Sequence, residues 1–266
     1  MKKTALLVID MQNDFCEINA PLRVPYAGVD CMLAADFIRN NHYIDKIYLS
    51  LDTHQIHQIF HPGFWEPQPK PFSNITLEDF KNNRWKPSNA AINISQEYLG
   101  EVTIEEYIEH YLKTTPYPLT IWPLHALLGS HGHSLHPSVH RAAAEHSIKN
   151  GYNLSYMLKG YNPLTEFYSI WSPAVDVLPD GESLGATRNE KYFNELREFD
   201  KVYIVGEAKS HCVLWTITDM LNYFEPGQLC AVTNIMSSID GCKDATDLAF
   251  IELEKKGVHM LDWHMK

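Results

Sequence analysis

Several features that would narrow the function of a chain are missing from these 266 residues. The five cysteines, at positions 16, 31, 212, 230 and 242, form no C-x-x-C pair, and an odd number cannot pair completely. This disfavours a disulfide framework or a cysteine-rich zinc knuckle. No apolar run is long enough for a membrane-spanning helix, and the run 5–9, which Asp10 ends, is too short for a signal-peptide core. We therefore expect a cytoplasmic protein that keeps its thiols reduced.

Positive charge is also scarce. The chain has 22 lysines and arginines against 33 aspartates and glutamates, which gives a net charge of −11 with histidine neutral. Such a balance disfavours a general nucleic-acid surface or an anionic-membrane surface. There are no internal repeats, and the absence of a G-x-S-x-G elbow disfavours a serine hydrolase. The partner that we expect is a small molecule, with neither nucleic acid nor membrane involved.

Short apolar runs alternate with segments of helical periodicity along most of the chain. Strands are predicted at 5–9, 46–51, 154–158, 202–205, 229–233 and 258–262, and helices at 29–40, 138–149, 190–198, 213–224 and 244–256. This alternation predicts an α/β fold, a three-layer, doubly wound and mostly parallel sheet. We expect a single domain over 1–266 with a long insertion at about 61–120, where proline and aromatic residues are frequent and one helix is predicted near 104–112.

Three chemically complementary side chains follow predicted strands. Asp10 and Lys159 stand at strand ends, and Cys212 lies between a strand and a helix. Because parallel strands end at one edge of the sheet, where open α/β folds bind ligands, we expect the three to lie together. An aspartate can take a thiol proton, a lysine can stabilise the thiolate, and a cysteine can attack a carbonyl. We also expect Lys159 and the helix start to lower the pKa of Cys212, although a buried structural thiol is the alternative.

A second cluster lies beside these residues. The motif Asp52-x-His54 begins the insertion, and His125 follows it. An Asp and a His at i and i+2 beyond a strand can both reach one ion, and a distant His would complete an open site. Mixed nitrogen and oxygen ligation suits zinc, iron or manganese, of which we expect zinc. Chance pairings are expected among 14 histidines, and His57 or His61 remains open as a further ligand.

Together these motifs resemble those of the isochorismatase-like cysteine hydrolases, and within that family most closely those of nicotinamidases. The matching segments occur in family order: Val8-Ile9-Asp10-Met11-Gln12-Asn13-Asp14-Phe15, Asp52-x-His54, Trp122-Pro123-x-His125, Lys159-Gly160, Glu166-x-Tyr168-Ser169 and Gly206-x-Ala208-x-x-x-Cys212-Val213. They span most of the chain, which makes the joint signal strong.

The resemblance implies roles for named residues. It implies the catalytic triad Asp10, Lys159 and Cys212, and the metal ligands Asp52, His54 and His125. It also implies a cis peptide between Glu207 and Ala208, with the N–H groups of Ala208 and Cys212 facing the oxyanion. Phe15 and Trp122 fall where the family packs a flat substrate ring, although both could also be core aromatics.

The chain departs from the usual nicotinamidase pattern in three places. Ala126 stands where a cysteine is usual, and Lys209-Ser210-His211 stands where a Thr-Asp or similar pair usually precedes the nucleophile. The insertion is also longer than in compact members, and together these departures point to a long-form, nicotinamidase-related branch. The leading hypothesis is a metal-assisted amidohydrolase that converts nicotinamide to nicotinate plus ammonia through a thioester on Cys212. Another small amide or ureido substrate, or a catalytically silent ligand-binding protein, is the alternative. We expect a homo-oligomer, with the insertion either a lid over Cys212 or a surface packed on a sheet edge or a neighbouring subunit.

Overall fold

Six parallel strands form the central sheet of the protein. The computed structural model describes residues 2–186 and 189–264. The strands in this range are β1 (Thr4–Ile9), β2 (Lys46–Asp52), β3 (Trp65–Glu66), β4 (Asn74–Ile75), β5 (Lys86–Pro87), β6 (Leu119–Thr120), β7 (Ser155–Lys159), β8 (Lys201–Gly206), β9 (Leu229–Val232) and β10 (His259–Leu261). The central sheet has the order β10-β9-β8-β1-β2-β7, and every neighbouring pair is parallel. The predicted fold class is confirmed.

Helices cover both faces of this sheet. They are α1 (Asn13–Cys16), α2 (Ala27–Asn40), α3 (Leu77–Lys81), α4 (Asn89–Ser95), α5 (Ile104–Thr114), α6 (Pro137–Asn150), α7 (Glu190–Arg197), α8 (Leu214–Met220) and α9 (Lys243–Lys255). A π-helical turn, Lys209–Val213, precedes α8, so the helix predicted from residue 213 begins one residue later. No helix in the described ranges is long and apolar enough to cross a membrane.

The first strand, β1, shows why a continuous apolar run predicts a central parallel strand. All six residues of β1 are buried, because the strand lies in the middle of the sheet between β2 and β8. Leu6 and Val8 share a core cluster with α2, whereas Leu7 belongs to the cluster that includes Ile217 of α8. A strand buried on both faces reads as a continuous apolar run rather than as an alternating one.

The insertion has short elements of its own. It contains α3, α4 and α5 and two antiparallel ladders, β3 with β5 and β4 with β6. In α5, Thr103 and Glu106 form a reciprocal capping box, and the apolar face buries Tyr107 and Tyr111. The Tyr107 hydroxyl donates to Leu164 O at 2.8 Å, beyond β7. The buried side chains of the insertion join the same core cluster as those of α2.

Candidate active site

The carboxyl edge of the sheet gathers the three side chains predicted to share it. Asp10 follows β1, Lys159 ends β7, and Cys212 lies in the π-helical turn after β8. Lys159 Nζ is 3.0 Å from Asp10 Oδ2 and 3.6 Å from Cys212 Sγ. It also lies 2.9 Å from Asp52 Oδ1, and it donates to Phe167 O at 2.7 Å. One buried ammonium therefore connects the predicted nucleophile with two carboxylates.

Asp10 is fixed in this arrangement by hydrogen bonds to β2. Its Oδ1 accepts from Ser50 Oγ at 2.6 Å, and its N–H donates to the same hydroxyl at 3.1 Å. Burial raises the pKa of Asp10, and Lys159 offsets only part of that rise. For Lys159, burial favours the neutral amine, but Asp10 and Asp52 carry its pKa well above the ordinary value. The ammonium is therefore charged at neutral pH.

The expectation of a lowered pKa at Cys212 is wrong. Burial raises the pKa of Cys212, Lys159 lowers it, and Asp10 and Asp52 raise it again, so that it lies well above its ordinary value. The physical reason is that two carboxylates surround one ammonium, which leaves no surplus of positive charge for a thiolate. Cys212 is therefore favoured as the neutral thiol over the thiolate. Attack on a carbonyl from this state requires Asp10 to take the proton as the reaction proceeds.

The predicted metal ligands converge next to this cluster. One ligand atom each from Asp52, His54 and His125 lies within 4.8 Å of the others, and all three side chains are buried. His54 Nε2 is 2.9 Å from Asp52 Oδ2, but the two atoms are not aligned as donor and acceptor. His125 Nε2 lies 3.9 Å from the same oxygen. Three ligand atoms thus face one another without satisfying one another, which fits a divalent metal ion.

Backbone carbonyls set the tautomers of the two histidines. His54 Nδ1 contacts Gly160 O at 3.1 Å, and His125 Nδ1 contacts Pro123 O at 2.8 Å. A carbonyl only accepts, so each Nδ1 must carry the proton, which leaves each Nε2 with a free lone pair. Burial lowers the pKa of His125 to about 3. Burial also lowers the pKa of His54, but Asp52 raises it further and the net shift is upward.

Of the two histidines left open as further ligands, His61 is the one that faces the cluster. Its ring centroid lies 5.8 Å from that of His54 and 5.6 Å from that of His125. Its Nδ1 contacts Ile56 O at 3.2 Å, and its buried Nε2 has no hydrogen-bond partner among the described residues. His57, by contrast, is half-buried and contacts Gly63 O.

Gly160 is required by the close approach of two ligands. Its φ is +78°, and a Cβ at this position would lie 2.6 Å from His54 Cε1 and 2.8 Å from Asp52 Oδ1. Any larger residue after Lys159 would displace the ligands and the carbonyl that orients His54.

A narrow cavity opens above these groups. The predicted ring-packing residues Phe15 and Trp122 both line it, and so do Tyr168 and His211. The His211 ring meets those of Trp122 and Tyr168 edge-on, with centroids 5.6 and 5.0 Å away. Cys212, Asp52 and His125 complete the lining at the inner end. The cavity suits a small flat ring whose polar substituent faces the thiol.

The turn that carries Ala208 and Cys212 forms another wall. The peptide between Glu207 and Ala208 is cis, as the resemblance implies. Ala208 lines the cavity, and its N–H donates to no acceptor among the residues that the structure describes. A free backbone donor beside a nucleophile is what an oxyanion site needs.

Glu166 and His211 also line the cavity, and the sequence assigns neither of them a role. Glu166 stood within a matching motif, and His211 directly precedes the nucleophile, which was the only local signal for it. Glu166 accepts from Trp122 Nε1 at 3.2 Å and from Phe167 N at 2.8 Å. Burial raises the pKa of Glu166 to about 7, and burial lowers the pKa of His211 to about 4.

The curated proteins that resemble this chain include nicotinamidases. A curated nicotinamidase from Escherichia coli (strain K12) is 26% identical over 272 residues, which cover 99% of this chain and 98% of that protein. The similarity to this nicotinamidase thus extends over nearly the full length of both chains. No family model matches the chain.

Several solved structures share the fold of this chain. The yeast nicotinamidase bound to the inhibitor nicotinaldehyde has a TM-score of 0.69 at 17% identity, covering 98% of this chain and 100% of that one. An Acinetobacter baumanii nicotinamidase has a TM-score of 0.64 at 20% identity, covering 98% and 97%. The pyrazinamidase of Pyrococcus horikoshii in complex with zinc has a TM-score of 0.56 at 17% identity, covering 98% and 99%. At such identities these matches show the fold alone.

Proposed function

We propose that this protein is a cysteine amidohydrolase that converts a small aromatic amide to its acid and ammonia, with nicotinamide as the best candidate. The observation that carries the proposal is the buried Lys159 ammonium, which contacts Asp10, Asp52 and Cys212 at the inner end of an aromatic cavity. The full-length similarity to a nicotinamidase supports it.

The residues of the chain account for each proton. Asp10 takes the thiol proton while Cys212 Sγ bonds to the amide carbonyl carbon, and Lys159 stabilises the developing negative charge. The oxyanion is held by the N–H groups of Ala208 and Cys212, and each such donor lowers the barrier by about 3–4 kcal/mol in other acyl-transfer sites. Asp10 then gives its proton to the leaving nitrogen, and ammonia departs. Water, deprotonated by Asp10, hydrolyses the thioester and regenerates the thiol.

We further propose that Asp52, His54 and His125 hold one zinc ion, with His61 as the nearest further ligand. The support is the free Nε2 lone pair on each histidine and the unsatisfied convergence on Asp52. The zinc complex of a structurally similar pyrazinamidase agrees with this choice. When bound, the ion would supply a Lewis-acid site for the substrate beside the thiol.

We also propose that the insertion belongs to the single domain and packs behind the aromatic residues that line the cavity. Phe72 meets Trp122 edge-on at 6.0 Å, and Tyr117 packs on Tyr168 at 4.3 Å between ring centroids. These contacts favour the lid over the interface. Homo-oligomerisation and a cytoplasmic location stay predictions.

Ammonia release from a panel of amides tests the proposed activity. The panel pairs nicotinamide and pyrazinamide with benzamide, which lacks a ring nitrogen, and with a ureido compound, all assayed with zinc-loaded protein. We expect nicotinamide or pyrazinamide to be cleaved faster than benzamide. Faster cleavage of the ureido compound would favour the alternative hydrolase, and binding without ammonia release would favour a silent ligand-binding protein.

A further inference from the structure

A second buried acid cluster lies beneath the turn that carries Ala208. Glu207 is fully buried, and Asp30 of α2 is 5% exposed. The two carboxyls are neighbours, because Ser237 donates one hydrogen bond to each of them. Within the described ranges, neither carboxyl forms an ion pair with a lysine or an arginine. The reaction described above uses neither residue.

Two neighbouring carboxyl groups can form a hydrogen bond with each other only if one of them carries a proton. Glu207 Oε1 is buried and receives no hydrogen bond from an N–H or hydroxyl donor in the described part of the chain. Two ionised carboxylates in this position would repel each other without a counter-ion. The cluster is therefore held together by a proton, whereas the Lys159 cluster is held together by a cation.

The pair is tied to the catalytic turn through Ser237. Ser237 N donates to Glu207 Oε2 at 3.2 Å, and Ser237 Oγ donates to Asp30 Oδ2 at 2.5 Å. Ser237 also accepts a hydrogen bond through its carbonyl oxygen, from Lys209 N at 2.7 Å. Ala208 stands between the two tied residues, Glu207 and Lys209. Two residues beyond Ser237, Ile239 lines the cavity.

We propose that Asp30 and Glu207 share one proton and that this buried carboxyl pair positions the turn that presents the Ala208 N–H to the substrate oxyanion. Both act as positioning residues, since neither lines the cavity. The positioning role rests on the proposed function, whereas the shared proton does not.

The pair has a direct consequence for pH dependence. Burial raises the pKa of Glu207 well above its ordinary value, and Asp30 raises it further. The folded protein therefore binds more protons than the unfolded chain above about pH 4.3, and its stability falls as the pH rises towards the folded pKa. Loss of the proton should also loosen the turn, which predicts a decline of kcat on the alkaline side.

Other titratable groups face the pair and need a control. Cys16 of α1 and Cys31 of α2 adjoin it, and His136, just before α6, lies close to Cys31. Hydrogen bonding to Cys16 lowers the pKa of Cys31 to about 7. Cys31→Ala therefore separates titration of this thiol from that of the carboxyl pair.

Thermal unfolding across pH tests the shared proton without reference to activity. Tm is measured from about pH 5.5 to about pH 9 for the wild type, Glu207→Gln, Asp30→Asn, Cys31→Ala and the exposed control Glu254→Gln. We expect Tm of the wild type, Cys31→Ala and Glu254→Gln to fall over this range, and Tm of Glu207→Gln and Asp30→Asn to fall less. A wild-type slope in both isosteric variants would overturn the shared proton.

Kinetics and aldehyde binding test the positioning role. Because small displacements in an active site can cost up to about 100-fold in rate, we expect Glu207→Ala to lower kcat about 10- to 100-fold with KM little changed. Glu207→Gln, which can still hydrogen-bond to Asp30, should retain more of kcat and lose the alkaline decline. Affinity for an aromatic aldehyde, which forms an oxyanion on Cys212, should fall in parallel with kcat.

The outcomes are separable. Wild-type kcat and aldehyde affinity in Glu207→Ala would overturn the positioning role even if the Tm slopes behave as expected. If Glu207→Ala does not fold, the kcat and the aldehyde affinity of Asp30→Asn decide the same question. If no amide is hydrolysed at all, the proposed function fails, while the Tm slopes still support or overturn the shared proton.

Discussion

The sheet edge lines the cavity directly, whereas the insertion contacts residues that line it. The sheet edge supplies charged groups whose side chains are fixed in position. Those of Asp10 and Lys159 are fully buried, and each contacts several partners. The insertion supplies aromatic rings that pack against the lining residues Trp122 and Tyr168, and one of these rings, Phe72, is 60% exposed. Strand ends are fixed by the sheet ladder, so they can hold reacting groups, whereas a long connection can change shape without disturbing them. Changes at the edge should therefore abolish chemistry, and changes in the insertion should alter selectivity.

The largest effect is expected from Cys212→Ala. The variant should fold as the wild type does and lose all measurable ammonia release, because no other thiol lines the cavity among the described residues. Cys230→Ala is the matched control, since Cys230 is a buried thiol on β9 and does not line the cavity. Circular dichroism and the amide assay measure both properties. Turnover that survives in Cys212→Ala would assign the nucleophile to another residue.

Lys159→Met should affect both activity and stability. It removes the cation between Asp10 and Asp52, and breaking a buried ion pair in this way typically costs about 3–5 kcal/mol of unfolding free energy. The exposed Lys255→Met, which removes a surface ion pair, should cost about 0–1 kcal/mol. Urea denaturation measures both values. The double variant Asp10→Asn with Lys159→Met should recover part of the loss, and no recovery would show that the two charges are not coupled.

Zinc affinity should distinguish His125, His61 and His57 from one another. Since loss of groups that merely orient a ligand typically weakens metal binding by about 10- to 100-fold, His125→Ala should weaken zinc binding by at least that factor. His61→Ala should have a smaller effect, and His57→Ala should resemble the wild type because His57 contacts only the Gly63 carbonyl. Competition with a zinc chelator measures all three. Equal losses in His57→Ala and His125→Ala would place the metal elsewhere.

The smallest effect is expected from Phe72→Ala in the insertion. An aromatic pair contributes about 0.5–1.5 kcal/mol, so loss of the contact with Trp122 should raise KM about two- to tenfold with kcat unchanged. Phe80→Ala, which removes a ring of the insertion outside the cavity, is the matched control. A change in the gel-filtration volume with unchanged KM would instead make this part of the insertion an interface.

The sequence predicts the sheet edge better than the surroundings of the site. The apolar run of β1 and the acid that follows it indicate both the strand and the position of Asp10. The raised pKa of Cys212 could not be predicted in the same way, because it depends on a second carboxylate, Asp52, that reaches Lys159 across the sheet. The spacing along the chain carries no information on that distance.

The Asp30 and Glu207 pair was missed for a related reason. The two residues are 177 positions apart in the numbering, and each has an ordinary local setting, in a helix and in a turn. Their burial follows from the packing of α2 against the sheet rather than from any local pattern. The geometry of the insertion could not be predicted from the sequence either, because its short ladders depend on contacts between distant segments.

A trapped acyl-enzyme tests the role of Cys212 most directly. Zinc-loaded protein is mixed with nicotinamide, quenched in acid during turnover, digested and analysed by mass spectrometry, with Cys230→Ala as a positive control and Cys212→Ala as a negative one. The proposed reaction predicts a nicotinoyl thioester on the peptide that contains Cys212 and on no other peptide. Turnover of nicotinamide with the adduct on a different residue, or with no adduct when hydrolysis of the acyl-enzyme is slowed, would contradict it.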